Sequence, residues 1–470
     1  MDGPRHRITL YVMGILMLYL LIPFGLSAFS AVVRLSTSVA FVLSLIPLFL
    51  LLFGVELDVS YNWFPPLSIH FHLHADALSK VFLYLTALVI PFSILAVRRE
   101  SRLYFPFVFL LQGLLIGFFT ARDLVLFTLF WESIILPLYF IINLWGGDNR
   151  KKAAMQFLLY MIAGSFLMVA AVLSVYLTVG TFDMDQLAKV APAAWVAFAF
   201  FLAFAVKTPL FPFHAWLPEA YTQASTSGSI LLAAILSKAG IYGFIRIGLE
   251  IFPHYLSAWG PALLALAIIG VFWGAFAAWR QRDFKRLIAY SSFSHVNFIL
   301  VGLFVWNDTA EIGSVLQSFN HGITITALFL VSGWLEVRLG TTKMDGISGV
   351  ANYLPQLCWL TLFFVLSSVA LPGMNNFVGE LLILFGLFSF NKWLAALLSL
   401  TVILSVVYML RWMQKVYFQE ATPLQPTYRD IRGKEWLIAL PLILLILWVG
   451  FYPSPILKQI EPYEYFSRMD

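Results

Sequence analysis

The stretch Lys207 to Arg246, KTPLFPFHAWLPEAYTQASTSGSILLAAILSKAGIYGFIR, sets two lysines in apolar surroundings. Lys207 stands just before an interruption made by Pro209 and Pro212, and Lys238 lies in a glycine-flanked helical run. An ammonium group near the centre of a bilayer costs roughly 2.5–3.5 kcal/mol on insertion scales, so it is retained there for a partner or a task. The function is to be sought around these two residues.

Working outward, the composition makes the rest of the chain a membrane bundle. Of 470 residues, 61% are hydrophobic and 11% charged, against about 25% charged in a soluble domain, and the mean hydropathy is +0.87. Apolar runs of about 20 residues, each enough to cross roughly 30 Å of hydrocarbon, follow one another and leave no sizeable soluble domain. The first run, from Ile8, lacks a small-residue cleavage pattern and reads as a retained span. The single cysteine, Cys358, excludes an internal disulfide and a multi-cysteine metal or iron–sulfur site, so no electron carrier is expected in this chain. A formal charge of +5 could suggest nucleic acid, but the basic residues sit in short loops between spans, as membrane orientation alone requires.

The expected fold is an all-α polytopic membrane protein of about fourteen transmembrane helices. The spans fall near 8–29, 37–57, 76–97, 104–120, 124–145, 153–179, 192–221, 228–247, 257–279, 287–306, 311–337, 356–389, 393–418 and 435–452. Lys and Arg favour the loops after odd-numbered spans by roughly two to one, which puts those loops in the cytoplasm and both termini on the periplasmic side.

The seventh span, with Pro209 and Pro212, and the twelfth, with Leu371-Pro372-Gly373, are longer than a bilayer needs and are expected to be broken. They lie five spans apart, each with an ionisable residue near its break, Lys207 and Glu380. The spacing suggests two five-helix repeats, about 104–247 and 257–418, inside a single domain covering 1–470. An odd number of spans per repeat makes consecutive copies inverted, an arrangement common in secondary transporters.

Six ionisable residues fall inside spans: Glu132, Lys207, Lys238, His295, His321 and Glu380, on the fifth, seventh, eighth, tenth, eleventh and twelfth. Acid, base and imidazole at comparable depth are what a proton relay requires, because burial and neighbouring charges move their proton affinities. A Glu132–Lys207 pair that opens and closes would gate proton affinity. Plainer readings exist for each: a static ion pair for Glu132 and Lys207, histidines satisfying backbone carbonyls, a snorkelling Lys238, an interfacial Glu380. His214 with Glu219 reads as part of a re-entrant turn. The runs Arg150-Lys151-Lys152 and Arg280 to Arg286 read as topology signals that could touch anionic membrane lipids.

The Lys207–Arg246 run resembles the signature of the antiporter-like membrane subunits of respiratory complex I, the proton-pumping NADH:quinone oxidoreductase. FWESIILPLYFIINLWGGDNRKKAAMQFLLYMIAGS looks like that family's fifth and sixth helices. RDFKRLIAYSSFSHVNFILVGLF is similar to its tenth, and NHGITITALFLVSG and LPGMNNFVGELLILFG to its eleventh and twelfth. The likeness covers essentially the whole chain.

The resemblance implies that Glu132 and Lys207 gate an inlet half-channel, that Lys238, His295 and His321 continue a hydrated axis, and that Glu380 is the outlet residue. A carboxylate at Glu380, where the L and N types use lysine, and a chain stopping soon after its last span are similar to the M type, or chain 4. On that footing NADH, FMN, iron–sulfur clusters and quinone are expected in partner subunits, with none in this chain. Neighbouring L-type and N-type chains are the expected partners, without nucleic acid. The expected location is the bacterial plasma (inner) membrane. The family's usual Ala-Pro-Thr reads Ala224-Ser225-Thr226 here, and Ser-His-Met-Gly reads Ser294-His295-Val296-Asn297; neither change removes a titratable site. The alternatives are a subunit of a multi-subunit sodium/proton antiporter or membrane-bound hydrogenase, and a non-pumping scaffold.

Overall fold

A computed structural model describes residues 18–97, 103–190, 192–420 and 429–460. Residues 8–17 of the expected first span, and both chain termini, lie outside them. Among the described residues nine helices are long and apolar enough to cross a membrane, and six shorter apolar helices accompany them. Most expected spans recur within a few residues, for example Ala77–Leu95, Tyr104–Thr120, Arg150–Val179, Pro253–Arg280, Phe284–Phe304 and Asp308–Leu339.

The two expected breaks are present. The seventh span is Ala194–Lys207 followed, after a turn, by Trp216–Gln223. The twelfth is Pro355–Ser368 followed by Asn375–Phe390. Two further spans depart from the continuous helices expected of them. The second divides into Thr37–Ser44 and Ile46–Leu52, and the fifth into Leu124–Ser133 and Ile135–Trp145. Proline is the cause in both: Pro47 and Pro137 have no amide hydrogen to donate back four residues, and their rings crowd the preceding turn.

One element lies beyond the all-helical expectation. Strands β1 (Asp58–Phe64) and β2 (Ile69–His74) pair as an antiparallel hairpin between the second and third spans, with Asp58 opposite His74. Val59 and Leu73 bury against the bundle while the intervening residues are more open. This period-two pattern is only a few residues long and has little contrast in so apolar a chain.

The spans form an inner and an outer set. The eighth, Thr226–Leu249, is wholly buried, whereas only 22% of the apolar window of the fourteenth, Gly433–Phe451, is covered. The outer helices turn large apolar side chains outward, among them Phe166, Leu173, Trp273, Leu400 and Leu444, as contact with acyl chains or other apolar helices demands.

Alternate connections collect at opposite faces. Those after the third, fifth, seventh, ninth and eleventh spans surround one cavity, and those after the second, fourth, sixth and eighth meet at the other end. These are the odd-loop and even-loop faces below. Each face carries a similar joint. At the even-loop face Leu124 N donates to Phe182 O (2.9 Å) and Met184 N to Arg122 O (3.1 Å). At the odd-loop face Phe284 N donates to Thr342 O (3.0 Å) and Met344 N to Arg282 O (2.8 Å). Asp123 caps the fifth span and Asp283 the tenth, and Arg122–Asp185 and Arg282–Asp345 ion pairs complete the two joints.

Candidate functional site

The odd-loop face opens into a cavity of about 550 Å³ whose wall includes Tyr104, Gly146, Gly147, Ser225, Thr226 and Lys285. Ser225, one of the residues that depart from the family pattern, caps the eighth span, its Oγ accepting from Gly228 N at 3.2 Å. Lys285 is buried, and its ammonium donates to Ala224 O at 2.6 Å. The basic run Arg280 to Arg286 is thus more than a topology signal: one of its members is folded into the cavity wall.

Lys207 ends the first half of the seventh span, fully buried. The chain turns there because Pro209 and Pro212 cannot continue the helix, and the indole Nε1 of Trp216 donates to Val206 O (3.0 Å), satisfying a carbonyl left open by the break. The Lys207 ammonium donates to Trp131 O at 2.7 Å and sits 3.5 Å from the centre of the Trp131 ring, a cation–π arrangement. Glu132 is the next residue. It lies within electrostatic reach of Lys207, but no hydrogen bond or ion pair within 4 Å joins them, and Glu132 Oε1 is buried without a partner among the described residues. The expected pair is therefore adjacent and open in this structure, with the kink at Ile134 directly beside it.

Lys238 is buried in the eighth span, which is wider than an α-helix at Leu232–Leu236 and Phe244–Leu249. A π-helical turn leaves carbonyls imperfectly used, and the Lys238 ammonium takes one, Ala233 O, at 2.8 Å, with Ser237 Oγ at 3.3 Å. The eighth span packs backbone to backbone on the broken seventh at Gly240. A Cβ there would lie 1.8 Å from Thr208 Oγ1 and 2.7 Å from Phe204 O, so only glycine fits.

The remaining three residues form one line. His321 Nε2 is 3.1 Å from Ser292 Oγ, the rings of His321 and His295 are 5.5 Å apart between centroids, and His295 Nδ1 is 3.2 Å from Glu380 Oε1. Gln317 Nε2 also donates to Glu380 Oε1 at 3.2 Å. His321 is within electrostatic reach of both Lys238 and His295, so the line continues back into the first half of the chain. The break in the twelfth span is held by reciprocal amides: Asn320 Nδ2 donates to Asn375 O (2.7 Å) and Asn375 Nδ2 to Asn320 O (3.0 Å). Asn297, the other departure from the family pattern, does more than sit beside His295: its amide donates to Pro209 O at 3.2 Å and ties the tenth span to the broken seventh.

His214 and Glu219 do not act together. His214 stacks on Phe293 with centroids 4.5 Å apart, and Glu219 pairs with Arg286. Among the described residues no group of three His, Cys, Asp or Glu side chains could hold a metal ion.

Sequence reasoning missed a second buried set at the even-loop face. Arg246, fully buried, is 2.6 Å from Asp76, pairs with Glu250 and donates to Tyr242 Oη at 3.0 Å. Arg122 joins it through Glu250 (3.4 Å) and Asp76 (3.6 Å), and binds Asp185 at 2.5 Å. The Arg246–Glu250 spacing of four is visible in the sequence; the partner Asp76, 170 residues away, is not. Beside this set, burial pushes the Asp123 carboxyl above the ordinary carboxylate range, against hydrogen bonds from the amides of His70, Val125 and Leu126.

Residues 121–406 match the family described as NADH:quinone oxidoreductase/Mrp antiporter, TM. The chain is 35% identical over 481 residues to the NADH-quinone oxidoreductase subunit M of Rickettsia prowazekii, with 97% of each covered. Among solved structures it is similar to a chain of respiratory complex I from Thermus thermophilus with bound NADH, at 32% identity and a TM-score of 0.90, covering 97% of this chain and 99% of that one. A chain of an Mrp complex from Dietzia sp. shares the fold, with a TM-score of 0.84, 20% identity and 97% of each chain covered.

Proposed function

Because this chain belongs to the NADH:quinone oxidoreductase/Mrp antiporter membrane family, we propose that it is the M-type, proton-translocating subunit of an NADH:quinone oxidoreductase. Near full-length similarity to a subunit M at 35% identity and to a complex I chain at 32% supports that reading over an Mrp-type antiporter, where the similar solved chain is 20% identical. The observation that carries the mechanism is the buried polar line of His321, His295 and Glu380, with Lys238 within electrostatic reach of His321 and Lys207 buried at the break of the adjacent seventh span. Ionisable groups at this depth in a bundle are retained for a task.

The mechanism uses the chain's own side chains. A proton enters from the odd-loop cavity toward Glu132 and Lys207. Lys207 holds it while its contact alternates between the Trp131 carbonyl and the Glu132 carboxylate. An approaching carboxylate favours the charged ammonium, and its withdrawal favours release toward Lys238. His321 and His295 pass the proton on, each through two ring nitrogens, and Glu380 is the outlet acid. The reading places the odd-loop face in the cytoplasm and the termini outside, in a bacterial plasma membrane. The matched joints at the two faces support two inverted five-helix repeats, about 104–247 and 257–418. NADH, FMN, iron–sulfur clusters and quinone belong to partner subunits, and neighbouring L-type and N-type chains flank this one.

The test is co-purification from mild detergent with an NADH:quinone assay, followed by reconstitution in proteoliposomes. Flavin- and iron–sulfur-bearing partners with NADH-driven proton uptake support the proposal. Co-purification only with small antiporter subunits and no redox activity overturns it.

A further inference from the structure

Glu311, on the eleventh span, is a buried acid that the relay above leaves unused. It is 2% exposed, and its Oε2 meets no hydrogen-bond partner among the described residues. A carboxylic acid buried in a membrane bundle without a cation is costly, and such residues mark ion and proton paths.

Its position gives that cost a direction. Glu311 and Gln317 share one helix, and Gln317 holds Glu380. Six residues separate them, about 9 Å along the axis toward the even-loop face by helical rise. The second half of the twelfth span runs alongside. Gly379 packs on Gln317 and Gly386 on Ala310, so the two helices stay in close contact from the level of Glu380 to that of Glu311. Buried Ser314 and Gln317 Oε1, which has no hydrogen-bond partner among the described residues, lie along the interval. At the far end Asp308, three residues before Glu311 and so on the same helix face, also has a buried oxygen, Oδ1, without a partner among the described residues, and it is half-exposed as a residue. The two acids are within electrostatic reach of each other. Two carboxyl groups so placed are suited to share one proton, because charging both at once is penalised.

We propose that Glu311 is a further proton-carrying residue, receiving the proton that leaves Glu380 and releasing it through Asp308 to the even-loop face. The inference rests on the proton-translocating reading above. At each turnover Glu311 gains one proton and gives up one; water bridges the interval from Glu380, and no electron moves.

The experiment uses the assembled complex in proteoliposomes, with Glu311→Gln, Glu311→Asp and Glu380→Gln compared for NADH-driven proton uptake. Redox-induced infrared difference spectra and native-gel assembly are read in parallel. Glu311→Gln lowers proton uptake at least about tenfold while assembling normally, Glu311→Asp restores most of it, and a carboxyl C=O band is lost in the Gln variant alone. Normal uptake by Glu311→Gln with defective Glu380→Gln overturns this inference and leaves the function standing. Assembly failure in both Glu311 variants makes the residue structural and also overturns it. Normal uptake by Glu380→Gln removes the underlying proton path instead.

Discussion

His295 and Glu380 meet at 3.2 Å across the tenth and twelfth spans, and the other nitrogen of that histidine is buried without a partner among the described residues. One side of the ring is thus tied to the acid proposed as the outlet, and the other nitrogen is left for exchange in that proposal. Replacing Glu380 with Gln keeps the shape and the Gln317 contact but abolishes proton exchange. The expected result is normal assembly with at least about tenfold less NADH-driven acidification, measured with a pH-sensitive dye in proteoliposomes.

Lys207 has a carbonyl and an aromatic face of Trp131 around its ammonium. Lys207→Ala is expected to assemble and to lose most proton pumping. Lys207→Arg retains the charge and the cation–π contact, yet an arginine cannot release its proton. Pumping assays should therefore find the arginine variant nearly as defective as the alanine one, and full rescue by arginine would make the role purely structural.

Gly240 is a packing residue in the tightest sense. Gly240→Ala drives a methyl group onto Thr208 Oγ1 and the Phe204 carbonyl, so the seventh and eighth spans must separate. The expected destabilisation is about 1–3 kcal/mol, as for other overpacked cores. A lower midpoint in thermal unfolding of the detergent-solubilised complex measures it.

Arg246→Ala removes the centre of a buried ionic set and leaves Asp76 and Glu250 short of a cation. Breaking a buried pair costs about 3–5 kcal/mol. Arg282→Ala removes the ion pair of the joint at the other face, where the pair is largely exposed, and an exposed pair is worth about 0–1 kcal/mol. Side-by-side thermal unfolding should show a large loss for the first and almost none for the second.

Span positions and both expected breaks are legible in the sequence because length, hydropathy and proline act locally. Glu132, Lys207, Lys238, His295, His321 and Glu380 stand out for the same reason: a charge or imidazole has no business in an apolar run. What the sequence conceals is pairing over distance. Nothing local shows that Lys207 reaches the Trp131 carbonyl before the Glu132 carboxylate, that Asn297 reaches Pro209, or that Arg246 meets Asp76. The β1–β2 hairpin was equally hidden, since a short alternating pattern carries little contrast against uniformly apolar neighbours. Glu311 escapes notice by lying near a helix start, where acids are ordinary surface caps; only its burial distinguishes it.

The two joints described for the opposite faces have the same backbone wiring but unequal side-chain bracing. Around Arg122 the strap is welded: its guanidinium is tied to three acids, two of which also grip Arg246. Around Arg282 the corresponding strap has the Thr342 hydroxyl donating to Asp283 and one ion pair, whose side chains are 79% and 56% exposed. The lighter bracing of the two therefore lies on the tenth and eleventh spans, which carry His295 and His321.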